Sequence, residues 1–300
     1  MIPAMPIVSR RTLLTGGATV AVVAAGAGAG VQQGVLPGRP WAQAHLGLNG
    51  EAGEVPDVEP GPVVRGSFVS AARGGAETGW ALVRPPGVEG PLPLVVALHG
   101  LGQDHAGLLG PSFGLDRFLA AAVADGAPPY ALATVDGGRS YWHPRPSGED
   151  ASAMVADELL PLLGGQGVDT SRVGLLGWSM GGYGALRLAG RLGPDRVPVV
   201  VASSPALWTD GADASRTGFA DAEEYDEFTV LGRQADLDGV AVRVDCGTGD
   251  PFYRAVEDYV DGFADGADVT SSFEPGAHDA AYWRRMLPVQ LDLLGRRVAV

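Results

Sequence analysis

Lysine is missing from this 300-residue chain; all 21 of its basic residues are arginine. That absence excludes Schiff-base catalysis, a Ser-Lys dyad and a P-loop, each of which needs a lysine amine. Cysteine is nearly absent. Cys246 alone leaves no intramolecular disulfide and no Cys/His cluster at zinc-site spacing, and it ends the apolar run Val240 to Asp245, which is expected to bury it as an inert thiol. Positive charge is scarce as well: 35 acidic residues against 21 basic leave a formal charge of −14. This disfavours nucleic acid as a partner and favours solubility. Histidine is limited to His45, His99, His105, His143 and His278, so any histidine chemistry must draw on one of five residues.

What is present is ordinary globular composition, 46% apolar and 19% charged, enough for one large domain with a buried core. The first 44 residues read as an address. Arg10-Arg11 stands before an uncharged stretch, Thr12 to Leu36, rich in Ala, Gly and Val. This resembles a twin-arginine export signal. The stretch is long enough to cross a bilayer, but glycine in a helix interior costs about 1 kcal/mol relative to alanine, which weighs against an anchor. Cleavage is expected after Ala42-Gln43-Ala44, with Ala27-Gly28-Ala29 as the alternative, leaving no stable membrane span and a secreted or cell-wall-associated protein. Residues 45–62, rich in Gly, Pro and acids, are expected to be a flexible linker, and 63–300 the catalytic domain.

Along the mature chain, Val63–Ser70 and Thr78–Arg84 alternate around Arg73-Gly74-Gly75 as an opening hairpin. Short, nearly continuous apolar runs then follow at Leu92–Leu98, Tyr130–Val135, Val173–Gly177, Val197–Ala202 and Val240–Asp245. Such runs fit strands buried on both faces. Between them lie helical patterns, among them the stripe Leu115, Phe118, Leu119, Val123 and the segments Tyr183–Leu192 and Tyr282–Leu294. The alternation predicts a doubly wound, mostly parallel α/β sheet with an N-terminal antiparallel hairpin. The polar, acidic stretch Ser204 to Gln234 is expected to form a small cap. Functional residues should collect at the carboxyl ends of the strands.

Gly177-Trp178-Ser179-Met180-Gly181 is a G-x-S-x-G sequence between an apolar strand and a helical pattern. A strand turning sharply into a helix strains the central residue and leaves no room for side chains two positions before and after it. Ser179 is therefore the expected nucleophile, above the free N–H groups of a helix start. A second match, Gly110-Pro111-Ser112-Phe113-Gly114, has no strand running into it. A strand–nucleophile–helix turn of this kind resembles that of α/β-hydrolases, whose triad runs Ser, acid, His along the chain. Only His278 follows Ser179, so His278 is the expected base. For the acid, Asp250 on the Gly-rich turn Gly247-Thr248-Gly249-Asp250-Pro251 is favoured, with Asp245 and Glu274 as rivals. In this fold the loop after Leu92–Leu98 and the residue after the nucleophile supply the oxyanion hole, which assigns the backbone N–H groups of Leu101 and Met180. His99 is expected to be structural. Tyr141, Trp142 and His143, emerging at the same sheet edge, and Trp178 are candidates for a substrate-binding wall, or equally for packing.

The segment Gly177 to Ala185 resembles the nucleophile region of esterase-D and antigen-85-like esterases, and His278-Asp279 with Tyr282-Trp283-Arg284 resembles their segment after the catalytic histidine. The resemblance spans about Val63 to Leu294. It implies a Ser179–Asp250–His278 triad acting on a small-molecule or cell-envelope ester, with no cofactor and no metal. The mycolyltransferases of that group use glutamate where Asp250 stands here, which tilts the expectation from acyl transfer onto a sugar or glycerol hydroxyl towards hydrolysis. A third reading, an inactive hydrolase-fold binding protein of the cell wall, predicts a missing catalytic residue, and none is missing.

Overall fold

The computed structural model describes residues 38–299. The twin-arginine sequence, the apolar stretch behind it and the alternative cleavage site at Ala27-Gly28-Ala29 lie outside them. One eight-stranded sheet runs in the order β1-β2-β4-β3-β5-β6-β7-β8. Its strands are β1 (Val63–Ser70), β2 (Ala76–Val83), β3 (Leu92–Leu98), β4 (Ala131–Val135), β5 (Val168–Trp178), β6 (Val199–Ser203), β7 (Ala241–Gly247) and β8 (Val269–Glu274). The hairpin β1–β2 is antiparallel and β2 joins β4 antiparallel. From β4 across to β8 every pairing is parallel.

The helices used below are α1 (Arg39–His45), α2 (His105–Leu108), α3 (Leu115–Ala124), α4 (a helical run over 151–164), α5 (Met180–Leu192), α6 (Ala222–Phe228), α7 (Tyr253–Asp261) and α8 (Ala280–Val298). They cover both faces of the sheet, and the strands show why. In β3, Leu94, Val96 and Leu98 enter one apolar cluster with α4 and α5 residues, while Val95 and Ala97 enter the other with α3 and α8. Successive side chains of a strand point to opposite faces, so a continuous apolar run feeds two cores. Each fully buried Val or Leu contributes about 1.5–3 kcal/mol. β8, at the sheet edge, is polar and half-exposed instead. The expected cap is a set of short pieces: a single turn at Gly211–Asp213, α6, and a turn at Gln234–Leu237.

The segment expected as a flexible linker is fastened to the body in the structure. Gly53 N–H donates to Ala281 O at 2.8 Å, Arg117 donates to Val58 O at 2.6 Å and Arg285 to Glu51 O at 2.5 Å. Glycine and proline suppress regular structure there, but its carbonyls are met by arginines from distant helices, which composition does not reveal. The cleavage site expected at Ala42-Gln43-Ala44 falls inside α1. There Gln43 is buried and within 3.2 Å of Thr248 Oγ1, and Arg39 stacks over the Tyr253 ring at 4.4 Å. Among the described residues no helix is long and apolar enough to cross a membrane.

Candidate active site

The turn from β5 into α5 is shaped by two close approaches. A Cβ on Gly177 would run into the carbonyl of Gly181, and one on Gly181 into the carbonyl of Leu98. Side chains at either position would force the strand and helix apart. Between them Ser179 has φ 54° and ψ −119°, a conformation that costs an L-residue on the order of 1–3 kcal/mol. The surroundings hold it there. Ser179 N–H donates to Ser203 O at 3.1 Å, and Ser179 O accepts from Tyr183 N–H at 3.1 Å and Ala206 N–H at 3.0 Å. Ser112, in the second G-x-S-x-G match, is exposed in the turn between α2 and α3 and has none of this setting.

His278 reaches Ser179 across 99 residues of sequence: its Nε2 lies 2.8 Å from Ser179 Oγ. Its Nδ1 lies 2.8 Å from Asp250 Oδ2. The histidine ring stands edge-on between Phe252 (5.1 Å) and Trp283 (5.2 Å), which limits its rotation. Trp283 is itself anchored by donating Nε1–H to Ser204 Oγ at 3.0 Å. The loops after β7 and β8 are tied to each other, because Thr248 N–H donates to Glu274 O and Gly249 N–H to Gly276 O, both at 2.8 Å. Asp250 Oδ1 accepts Phe252 N–H at 2.8 Å, which turns Oδ2 towards the histidine.

The two rival acids are elsewhere. Asp245 is fully buried inside β7, held by Arg243 (2.8 Å) and Gln290 (2.7 Å), and burial pushes its carboxyl above the usual range. Glu274 is turned to the surface beside Arg285 and accepts from Ser272 Oγ–H at 3.0 Å.

The loop after β3 lies directly over Ser179: a Cβ on Gly100 would sit 3.5 Å from Ser179 Cβ and 3.4 Å from Trp178 O. Gln103 closes this loop twice, donating its N–H to Gly100 O (3.2 Å) and accepting Gly100 N–H at Oε1 (3.0 Å). Leu101, between them, packs against the core only in part, and Met180 begins α5, where the first N–H groups have no intrahelical acceptor. His99 supports the same loop from below. Its Nε2 accepts Gly137 N–H at 2.9 Å, and burial lowers its pKa, so the ring is neutral with its proton on Nδ1 beside Gly100 O.

Tyr141, Trp142, His143 and Trp178 are all buried. Trp178 points to the opposite face of the sheet, edge-on to Phe113. Trp142 fills a slot between Gly137 and Gly184 and donates Nε1–H to His99 O at 3.3 Å. His143 stacks on Phe219 and Phe228, and burial pulls its pKa down to about 4. Tyr141 and Trp142 both have positive φ, 58° and 56°. Tyr141 lies within 6.3 Å of the Tyr183, Trp208 and Phe219 ring centres, so all four side chains contact other aromatic groups of the protein. The residues that the sequence reading did not single out are Phe252, Ser204 and Gln103. Phe252 and Ser204 act through tertiary contact with His278 and Trp283, whereas Gln103 closes a local turn onto Gly100.

No curated protein sequence matches the chain. Among solved structures, a ferulic acid esterase superposes with a TM-score of 0.68 at 21% identity, over 80% of this chain and 100% of its own. An S-formylglutathione hydrolase from Agrobacterium tumefaciens gives 0.65 at 19%, over 81% and 98%. A fluorophosphonate-binding serine hydrolase of Staphylococcus aureus gives 0.64 at 19%, over 79% and 99%. The family model described as "Putative esterase" matches residues 72–294, and on that match the chain belongs to this family of carboxylic ester hydrolases with the α/β-hydrolase fold.

Proposed function

We propose that the protein is an exported serine esterase that cleaves carboxylic esters through a Ser179–His278–Asp250 triad and an acyl-enzyme. The observation that carries the reading is the continuous chain of contacts from Ser179 Oγ to His278 to Asp250, both at 2.8 Å. His278 Nε2 takes the Ser179 proton as Oγ bonds to the ester carbonyl carbon, and the carbonyl π electrons move onto oxygen. The oxyanion is held by the N–H groups of Leu101 and Met180, each such donor being worth about 2.7–4 kcal/mol in the transition state. Collapse of the tetrahedral species expels the alcohol, which receives its proton from His278. Water then repeats the sequence on the acyl-enzyme and releases the acid. Asp250 orients the ring and stabilises its cationic form. The substrate is a small-molecule or cell-envelope ester, reached after export of the chain from the cytoplasm.

The test is labelling of the purified protein with a fluorophosphonate probe, beside turnover of p-nitrophenyl esters of graded acyl length. Labelling and turnover are expected in the wild type and absent in Ser179→Ala. A folded wild-type protein that takes no label and turns over no ester overturns the proposal. Adding glycerol or a sugar as acceptor and following the products separates hydrolysis from acyl transfer.

A further inference from the structure

The carboxyl-terminal half of α5 borders a second concavity, away from Ser179. Arg187 follows Ser179 by eight residues, roughly 12 Å along the helix axis at about 1.5 Å per residue. A cavity of about 250 Å³ opens beside it, lined by Arg187, Arg191, Arg233, Asp236, Phe228 and Tyr259 among others. Three guanidinium groups and one carboxylate thus meet in one pocket of a chain whose formal charge is −14.

These arginines are not equally engaged. Arg191 is spoken for by Ser152 Oγ at 2.9 Å, Asp157 at 3.5 Å and Asp150 at 3.9 Å. Arg233 donates to the backbone carbonyl of Asp226 at 3.1 Å and pairs with no carboxylate among the described residues. Arg187 lies with its guanidinium 5.0 Å from the Phe228 ring centre, and its Nη1 is enclosed with no hydrogen-bond partner. Asp236 lines the same cavity without forming an ion pair to either arginine. Buried polar groups in native proteins are almost always paired, and an enclosed, charged donor without an acceptor is the expensive exception. Burial also depresses the Arg187 pKa, with the Asp150 carboxylate acting against it and the Arg191 and Arg233 cations adding to it. The Phe228 ring lies against the Arg187 guanidinium, and a planar guanidinium carries N–H donors that suit an oxygen anion.

We infer that the cavity between α5 and the cap, lined by Arg187 and Arg233 over Phe228, is a binding site for an oxyanion ligand, a phosphate or carboxylate group. It is separate from the proposed catalytic serine and does not depend on the esterase reading.

The test uses the full chain titrated with inorganic phosphate, and in parallel with acetate, at ionic strength held constant with sodium chloride. Thermal unfolding and ³¹P line broadening are followed. A saturable rise in Tm is expected with at least one probe, together with phosphate line broadening if phosphate is the one bound. In Arg187→Met, which keeps apolar packing on Phe228, the affinity should fall at least tenfold. In Arg187→Lys, which keeps the charge but loses the planar fork, it should fall less. Arg233→Gln, an exposed position that tolerates change, should weaken binding at least threefold and serves the same purpose if Arg187→Met does not fold. Absence of a saturable response to both probes, or an undiminished response in the folded arginine variants, overturns the inference.

Discussion

Asp250 Oδ2 lies 2.8 Å from His278 Nδ1, and the Asp250 side chain is wholly shielded from solvent while the histidine remains 24% exposed. Five residues earlier, Asp245 is equally buried but spends its oxygens on Arg243 and Gln290. The same strand end therefore carries two buried carboxylates, one aimed at the histidine and one neutralised within the sheet.

Exchanging each for its amide should separate these jobs. Asp250→Asn leaves His278 without its orienting charge and is expected to lower kcat by about 10⁴-fold with the fold intact. Asp245→Asn leaves the partly exposed Arg243 without its counter-charge in the sheet and is expected to cost up to about 3 kcal/mol of stability, with kcat of the folded fraction within a few-fold of wild type. Ester turnover and denaturant unfolding of both variants are the measurements. The reverse pattern would make Asp245 the acid.

Gln103 clamps the loop that carries Leu101 by two bonds to Gly100. In Gln103→Ala the loop loses one of them and leaves Gly100 N–H without its acceptor. A misplaced oxyanion donor is expected to lower kcat by about 10- to 100-fold with KM little changed. Equal loss in KM alone would mean that Gln103 contacts substrate instead.

Gly181 has no space for a methyl group against Leu98 O. Gly181→Ala is expected to destabilise the protein by more than about 4 kcal/mol, the range reserved for severe steric conflict. A folded Gly181→Ala protein with near wild-type Tm would show that the β3–α5 contact yields easily.

His143 has its pKa lowered to about 4 by burial, against 6.5 for the free side chain. The unfolded chain therefore binds the proton first as pH falls, so stability from this residue is complete above about 6.5. It is lost progressively between pH 6.5 and 4, by about 3 kcal/mol in total. Unfolding free energy measured across this window should fall more steeply in the wild type than in His143→Phe, which keeps the stacking on Phe219 and Phe228. Parallel slopes would refute the assignment.

Much of this protein was legible before its structure. The order of apolar runs and helical stripes predicts the doubly wound sheet, because strands buried on both faces cannot alternate with polar residues. The spacing Gly177–Ser179–Gly181 predicts the sharp turn, because close backbone packing excludes side chains there. The scarcity of histidine left His278 as the sole candidate behind Ser179. Other features were decided by tertiary contact alone. Asp250 and Asp245 look alike in sequence, and the ties of Thr248 to Glu274 and Gly249 to Gly276 between two loops bring Asp250 to the histidine, while Arg243 and Gln290 hold Asp245 within the sheet. The aromatic run Tyr141-Trp142-His143 carries no local sign of facing inward. Its burial depends on the space that Gly137 and Gly184 leave for Trp142. Residues 45–62 read as a linker because composition records flexibility of the isolated backbone, whereas the arginines that fasten the segment come from positions 117 and 285. Sequence patterns report what a residue prefers among its near neighbours; the partners supplied by distant segments are set only when the chain closes on itself.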